Sequence, residues 1–252
     1  RPTRDITWIF YDHEEVAASA NSLTRIASER PDLLVGDFAV LMEPTSAKVE
    51  GGCQGTLRFT VTTKGKAAHS ARAWMGHNAI HDLAEVLAVL REHEPEQPVV
   101  DGLRYHEGLN AVAVTGGIAG NVIPDTATVS VNYRFAPHRS LADAEHYCRS
   151  LLPDHDLTFT DGAAGARPGL DVPAAATFVD AVGGEPSAKF GWTDVARFSA
   201  LGALALIAPM LVGSGVPSAA RADEATSIDR AAIERDYDRE LGPLFLDFHR
   251  HP

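Results

Sequence analysis

Cysteine is nearly absent: Cys53 and Cys148 are the two in 252 residues. Two cysteines make no disulfide framework, so a small stapled secreted scaffold is excluded and both read as free thiols in a reducing cytoplasm. Cys53 has the chemistry of a metal ligand, but a lone cysteine is more often a small buried side chain. Long apolar runs are also missing. Ala203 to Val212 is the most apolar stretch, well short of the roughly 20 residues that span a bilayer. Basic residues are outnumbered, 22 Lys and Arg against 34 Asp and Glu, and the net charge of −12 argues against a phosphate-backbone partner. It leaves open a basic pocket for an acidic substrate, because a local field differs from the net charge. The first residues, Arg-Pro-Thr-Arg-Asp, lack a signal-peptide pattern, and there is no repeat or low-complexity tract.

What is present is an ordinary globular composition, 45% hydrophobic and 22% charged, long enough for one large core or two modest ones. Ile6 to Tyr11 is apolar, aromatic and β-branched, which predicts an interior strand. It ends in the acids Asp12, Glu14 and Glu15. A second apolar run, Phe38 to Met42, ends in Glu43. Acids at the carboxyl ends of neighbouring strands stand where open α/β sheets place their sites, and converging carboxylates suit a divalent metal with a general base. The plainer reading is that Glu14 and Glu15 favour the first turn of the following helix. That helix is expected over Val16 to Arg30, stopped by Pro31, with a second strand from Leu33 to Met42, making a parallel strand–helix–strand unit.

The rhythm changes after Gly51, Gly52 and Gly55. Leu57, Phe59 and Val61 alternate with polar residues, and Ala79, Ile80, Leu83, Val86, Leu87 and Leu90 repeat at helical spacing. Alternating segments at Leu109–Val114 and Val129–Phe135, a helix over Leu141–Leu152 and a strand at Leu157–Phe159 complete the order β-α-β-β-α-β. That order is ferredoxin-like, with two helices over one sheet face. The fold class is therefore α/β: a parallel-sheet domain in two segments, 1–55 and 166–252, with an inserted ferredoxin-like α+β domain over 56–165. After the insertion come a short helix from Ala174 to Val182, a loop entering a helix at Ser187–Arg197, a buried strand at Ala203–Ala208, and a charged helix at Arg230–Phe248.

Tyr11-Asp12-His13-Glu14-Glu15 followed by Leu41-Met42-Glu43-Pro44-Thr45 resembles the co-catalytic zinc aminoacylase and deacylase family. Gly52-Cys53-Gln54-Gly55-Thr56, Ala68-His69-Ser70-Ala71-Arg72, Gly120-Asn121-Val122-Ile123-Pro124, Asn132-Tyr133-Arg134-Phe135 and Gly191-Trp192-Thr193-Asp194 follow in family order. The resemblance runs from about Asp5 to about Gly202. It implies a zinc hydrolase, two zinc ions per site with cobalt as a substitute, and an inserted domain acting as lid and dimerisation module. It also implies that further metal ligands, a histidine and an aspartate, lie upstream of this chain. A late family histidine has no counterpart in Pro217-Ser218-Ala219-Ala220-Arg221-Ala222-Asp223-Glu224.

On that resemblance Glu14 is the general base, and Glu15 and Glu43 are metal ligands. His69 reaches across a homodimer to the partner's oxyanion, against the plainer reading of an exposed loop histidine. Arg72, Asn121 and Arg134 form an anion clamp, suited to a succinyl carboxylate because guanidinium donors are planar and bidentate. A surface salt bridge is the plainer role for Arg134. Gly191 and Thr193 offer backbone and hydroxyl groups to the other end of the substrate, although a helix cap accounts for the same turn. The implied reaction is removal of succinate from N-succinyl-LL-2,6-diaminopimelate, on the way to lysine. The alternatives are another deacylase of the family, acetylornithine deacetylase-like, or a dipeptidase, or a dimerising module without complete metal sites. Partners are then a small N-acyl amino acid and a second copy, with no nucleic acid and no membrane.

Overall fold

The computed structural model describes residues 5–14, 20–43, 45 and 48–209, all within one compact unit of residues 1–210. Helix α1 (Ser22–Glu29) starts where the Asn21 side chain accepts from the Leu23 and Thr24 amides, satisfying two donors that a helix start leaves orphaned. The expected start at Val16 is not tested, because residues 15–19 lie outside the described residues. Pro31–Leu34 forms a 3-10 turn, for which proline is well suited at the first position. Strand β1 (Phe38–Glu43) is therefore shorter than the run expected from Leu33. Ile6 to Tyr11 is a larger correction: it forms no strand and joins no sheet among the described residues. Ile9 and Tyr11 pack on a core with Leu23, Leu41, Val195 and Ile207, whereas Trp8 is 67% and Phe10 89% exposed. An interior strand needs both faces covered, and here the alternation leaves one face outside.

Strand β2 (Glu50–Gly51) leads through Gly52, at φ +60°, into β3 (Gly55–Lys64). A Cβ on Gly52 would stand 2.3 Å from the Ala166 carbonyl oxygen, so this junction requires glycine. Beyond β3 come β4 (Ala68–His69), a 3-10 turn at Ser70–Met75, helix α2 (Ala79–Glu92), and the two-residue strands β5 (Val99–Val100) and β6 (Leu103–Arg104). Strands β7 (Gly108–Gly116), β8 (Val122–Ile123) and β9 (Thr126–Phe135), helix α3 (Leu141–Leu151) and β10 (Leu157–Ala163) follow. The main sheet runs β10-β3-β9-β7 with every pairing antiparallel, which is the expected ferredoxin-like arrangement. Phe59, Val61, Val129, Val131 and Tyr133 meet Leu83 and Val86 of α2 and Ala144 and Cys148 of α3 in one core. A capping box between Ser140 and Asp143 opens α3.

Helix α4 (Pro173–Val182), β11 (Ser187–Ala188), α5 (Val195–Ala200) and β12 (Leu204–Pro209) return the chain to the first sheet. Its order is β1-β12-β2-β11. The expected parallel sheet is in fact mixed: β1 pairs with β12 and β11 with β2 in parallel, but β12 and β2 run antiparallel. The expected strand–helix–strand neighbour also changes, since β1 lies beside the late strand β12. The helix expected over Arg230–Phe248, and the Pro217–Glu224 passage, lie outside the described residues. Among the described residues no helix is long and apolar enough to cross a membrane.

Candidate active site

Three acids gather around the Tyr11 phenol. Tyr11 is hydrogen-bonded to Asp194, with Glu14 and Glu43 close enough to act on it electrostatically. Burial first, then these carboxylates, push its pKa well above the ordinary phenol value, so the hydroxyl remains a donor. Asp194 is fully buried and accepts from Asn21 Nδ2 at 2.9 Å and from Arg197 Nε. The Arg197 guanidinium lies over the Trp192 ring at 5.2 Å. A buried carboxylate is tolerable only with such partners. Local sequence gives no hint of this network, because its members are far apart along the chain and Asp194 resembles an ordinary helix cap. It occupies that cap position on α5, but its side chain makes no capping bond.

Glu14 is exposed, in the turn after Tyr11; Glu15 lies outside the described residues. Glu43 ends β1, and its Oε2 is 3.2 Å from Lys189 Nζ. The same ammonium is 2.9 Å from Glu50 Oε2. Among the described residues no group of three His, Cys, Asp or Glu side chains could hold a metal ion. These residues by themselves therefore do not fit the metal centre the family implies: one expected ligand is taken by an ammonium. Cys53 offers none either. It is buried, its thiol reaches the Thr193 carbonyl at 3.9 Å, and burial pushes its pKa up, away from the thiolate that binds metal.

His69 is exposed and pairs through its backbone with Val122 in the β4–β8 ladder. Its Nδ1 accepts from the Ala71 amide at 3.1 Å, so a neutral ring carries its proton on Nε2. The Ser70 amide donates to the Asn121 carbonyl at 2.9 Å, bringing Asn121 beside it. Arg72, two residues on, is exposed and makes no hydrogen bond or ion pair among the described residues. Arg134 is elsewhere. It is opposite Thr56 near one end of β9, whereas Thr126, next to the His69 hairpin, is at the other. Eight residues of strand separate the two ends by about 27 Å. The structure thus brings His69, Arg72 and Asn121 together and holds Arg134 apart.

Arg134 is half-buried. Burial and the neighbouring Arg58 lower its pKa against the opposing pull of Asp161, and no hydrogen bond or ion pair within the described residues satisfies its guanidinium. Thr193 is buried, its Oγ1 accepting from the Val195 amide at 3.4 Å. Gly191 is exposed, and a Cβ there would meet nothing within 4 Å, so no contact inside the chain demands glycine.

Residues 52–159 match the peptidase dimerisation domain of the M20 type. The succinyl-diaminopimelate desuccinylase of Corynebacterium glutamicum is 45% identical over 244 residues, 92% of this chain and 65% of that protein. A Mycobacterium tuberculosis protein provisionally named succinyl-diaminopimelate desuccinylase DapE is 53% identical over 203 residues, 80% of this chain and 57% of that protein. The chain thus spans about three-fifths of the curated relatives it matches. Among solved structures, the M20 family metallo-carboxypeptidase of Sulfolobus solfataricus shares the fold at TM-score 0.55 and 14% identity, covering 77% of this chain and 60% of that one. Aminopeptidase PepT of Bacillus cereus does so at TM-score 0.58 and 12% identity, covering 76% and 53%. With its ferredoxin-like insertion and flanking mixed sheet, the chain carries the M20-type peptidase dimerisation domain and shares the fold of those peptidases.

Proposed function

We propose that this chain is part of a metal-dependent amide hydrolase that removes succinate from N-succinyl-LL-2,6-diaminopimelate in the cytoplasm, in lysine biosynthesis. The relatives named for that activity support the reaction. Arg134 is the observation that supports the substrate: a half-buried guanidinium with no hydrogen bond or ion pair among the described residues is prepared for a carboxylate, which a succinyl group has and an acetyl group lacks. The domain division is proposed as 1–55 and 166–252 for the catalytic part and 56–165 for the insertion.

The strand distance between Arg134 and His69 supports a site assembled from two copies. Arg134, Gly191 and Thr193 of one copy hold the substrate. The partner copy's hairpin brings His69 Nε2–H to the developing oxyanion, with Asn121 and Arg72 beside it. Glu14 takes the proton of the attacking water and passes it to the leaving amine. The family metal is proposed as zinc, two ions per complete site with cobalt as a substitute, Glu15 and Glu43 being this chain's contribution. A second reading, a dimerising module without catalysis, is favoured by one observation: Glu43 is engaged by Lys189.

Succinate release measured on the full protein separates these readings. Arg134→Leu should raise KM for the succinylated substrate by about 10–100-fold, the loss of one charge-assisted contact of about 1.5–3 kcal/mol. Equal turnover of acetylated and succinylated substrates, unchanged by Arg134→Leu, would remove succinate from the reading; no turnover of either would favour the module.

A further inference from the structure

We propose that Arg58 and Arg134 form a two-guanidinium site for one carboxylate group on the open face of the inserted sheet, with Arg58 leaving Asp161 to close on the bound anion. The two helices of this domain pack on the other face, over Leu57, Phe59, Val131 and Tyr133. On the open face two rows cross the strands in register: Asp161, Arg58 and Asn132, then Thr56, Arg134 and Gly108. Arg58 and Arg134 are diagonal neighbours on β3 and β9, about 7–8 Å apart and within reach of each other's long side chains. Arg134 stands between a threonine and a glycine, so neither adjoining strand sets an acid opposite it. Burial and the Arg58 charge lower its pKa, the mark of like charges held together away from water. Among the described residues the acid that acts on both guanidiniums is Asp161. It faces Arg58 because a bulge after Phe159 adds one residue to β10; an unbroken register would set Asp161 against Leu57 on the core face. Its Oδ2 is 3.5 Å from Arg58 Nη1, at the long limit of a hydrogen bond, and both side chains are more than half exposed. An exposed pair of that length is weak, so Arg58 is kept close yet released readily. A carboxylate brought to Arg134 then meets two planar forks and takes over the pairing that Asp161 gives to Arg58. The inference rests on the proposed function only for the source of that carboxylate, the succinyl end of the substrate.

Calorimetric titration of the full protein with free succinate reads the site without any turnover. Arg58→Met should weaken succinate about tenfold, the loss of one charge-assisted contact less the cost of leaving Asp161. Asp161→Asn should tighten it several-fold, because the competing carboxylate is gone. In an Arg134→Leu background, Arg58→Met should change the affinity by less than about twofold, since two groups acting on one anion are not additive. Steady-state kinetics on the succinylated substrate give a second readout: Arg58→Met should raise KM about tenfold at unchanged kcat, and Asp161→Asn should lower KM. No turnover, with the succinate pattern intact, would count against the proposed function and still support this site. Arg58→Met binding succinate as tightly as the native protein, or Asp161→Asn binding it no more tightly, overturns the proposal.

Discussion

The Asn21 side chain ties helix α1 to the buried carboxylate of Asp194: its Nδ2 donates to Asp194 Oδ2 at 2.9 Å while its Oδ1 accepts from the Leu23 amide at 2.8 Å. One amide thus serves as helix cap and as partner to a fully buried acid. Asn21→Ala removes both. It should cost about 2–4 kcal/mol, a cap of about 1 plus a buried carboxylate short of one donor at about 1–3. Asn21→Asp keeps the cap and sets a like charge against Asp194, and should cost at least as much. Urea titration at neutral pH measures both; a loss under about 0.5 kcal/mol for either would show that Asp194 does not depend on Asn21.

Alkaline pH should loosen the inserted domain through Tyr133. This phenol is buried and donates to Glu107 Oε2 at 2.6 Å. Burial first, then the bond and charge of Glu107, raise its pKa above the ordinary value of about 10. A group raised in the fold contributes stability that is whole below the unfolded pKa and lost as pH rises beyond it. Stability should therefore fall as pH climbs above about 10. Tyr133→Phe should be weaker by about 1–3 kcal/mol at pH 7, because Glu107 loses a donor, yet decline less steeply between about pH 10 and 12. Parallel urea titrations at pH 7, 10 and 11 test this, and identical slopes would contradict it.

Much of this fold was legible. The inserted domain reads directly from sequence because its strands alternate against one covered face and its helices carry single apolar stripes, as in Leu83, Val86 and Leu90. Ile6 to Tyr11 misleads for the opposite reason: an unbroken apolar run looks the same whether both faces are covered or one is not. Glu43 was legible as a strand-end acid, but its partner Lys189 was not, since tertiary pairing leaves no local periodicity. The same holds for Tyr11, Asn21 and Asp194. Arg72, Asn121 and Arg134 look like members of one clamp in sequence, and only the register along β9 shows Arg134 at the end away from the hairpin that carries the other two.

One of the two edge strands of the inserted sheet is β7, where Val112 is 62% and Val114 51% exposed. An exposed apolar edge strand favours pairing with another chain. Residues 52–166 should fold alone and dimerise, and Val112→Lys with Val114→Asp should give a monomer of unchanged helicity. Light scattering with circular dichroism reads both. A monomeric native segment, or a dimer untouched by the paired substitution, would place the contact elsewhere.

Glu14 carries the chemical step in the proposed reaction. Glu14→Gln in the full protein should lower kcat by about 10²–10⁴-fold. Its bound metal, read by elemental analysis, should stay near the native level. Near-native turnover would take Glu14 out of the mechanism, and loss of metal would make it a ligand instead.

The assembly of one site from two copies is tested most directly by mixing two impaired variants of the full protein, His69→Ala and Arg134→Leu, at substrate well below the KM of the native enzyme. Random mixing makes half the dimers mixed, and each mixed dimer holds one site with both residues intact. Succinate release should recover to about a quarter of the native rate per chain. No recovery above the separate variants, with mixed dimers shown to form, would contradict a shared site and return both residues to a single chain.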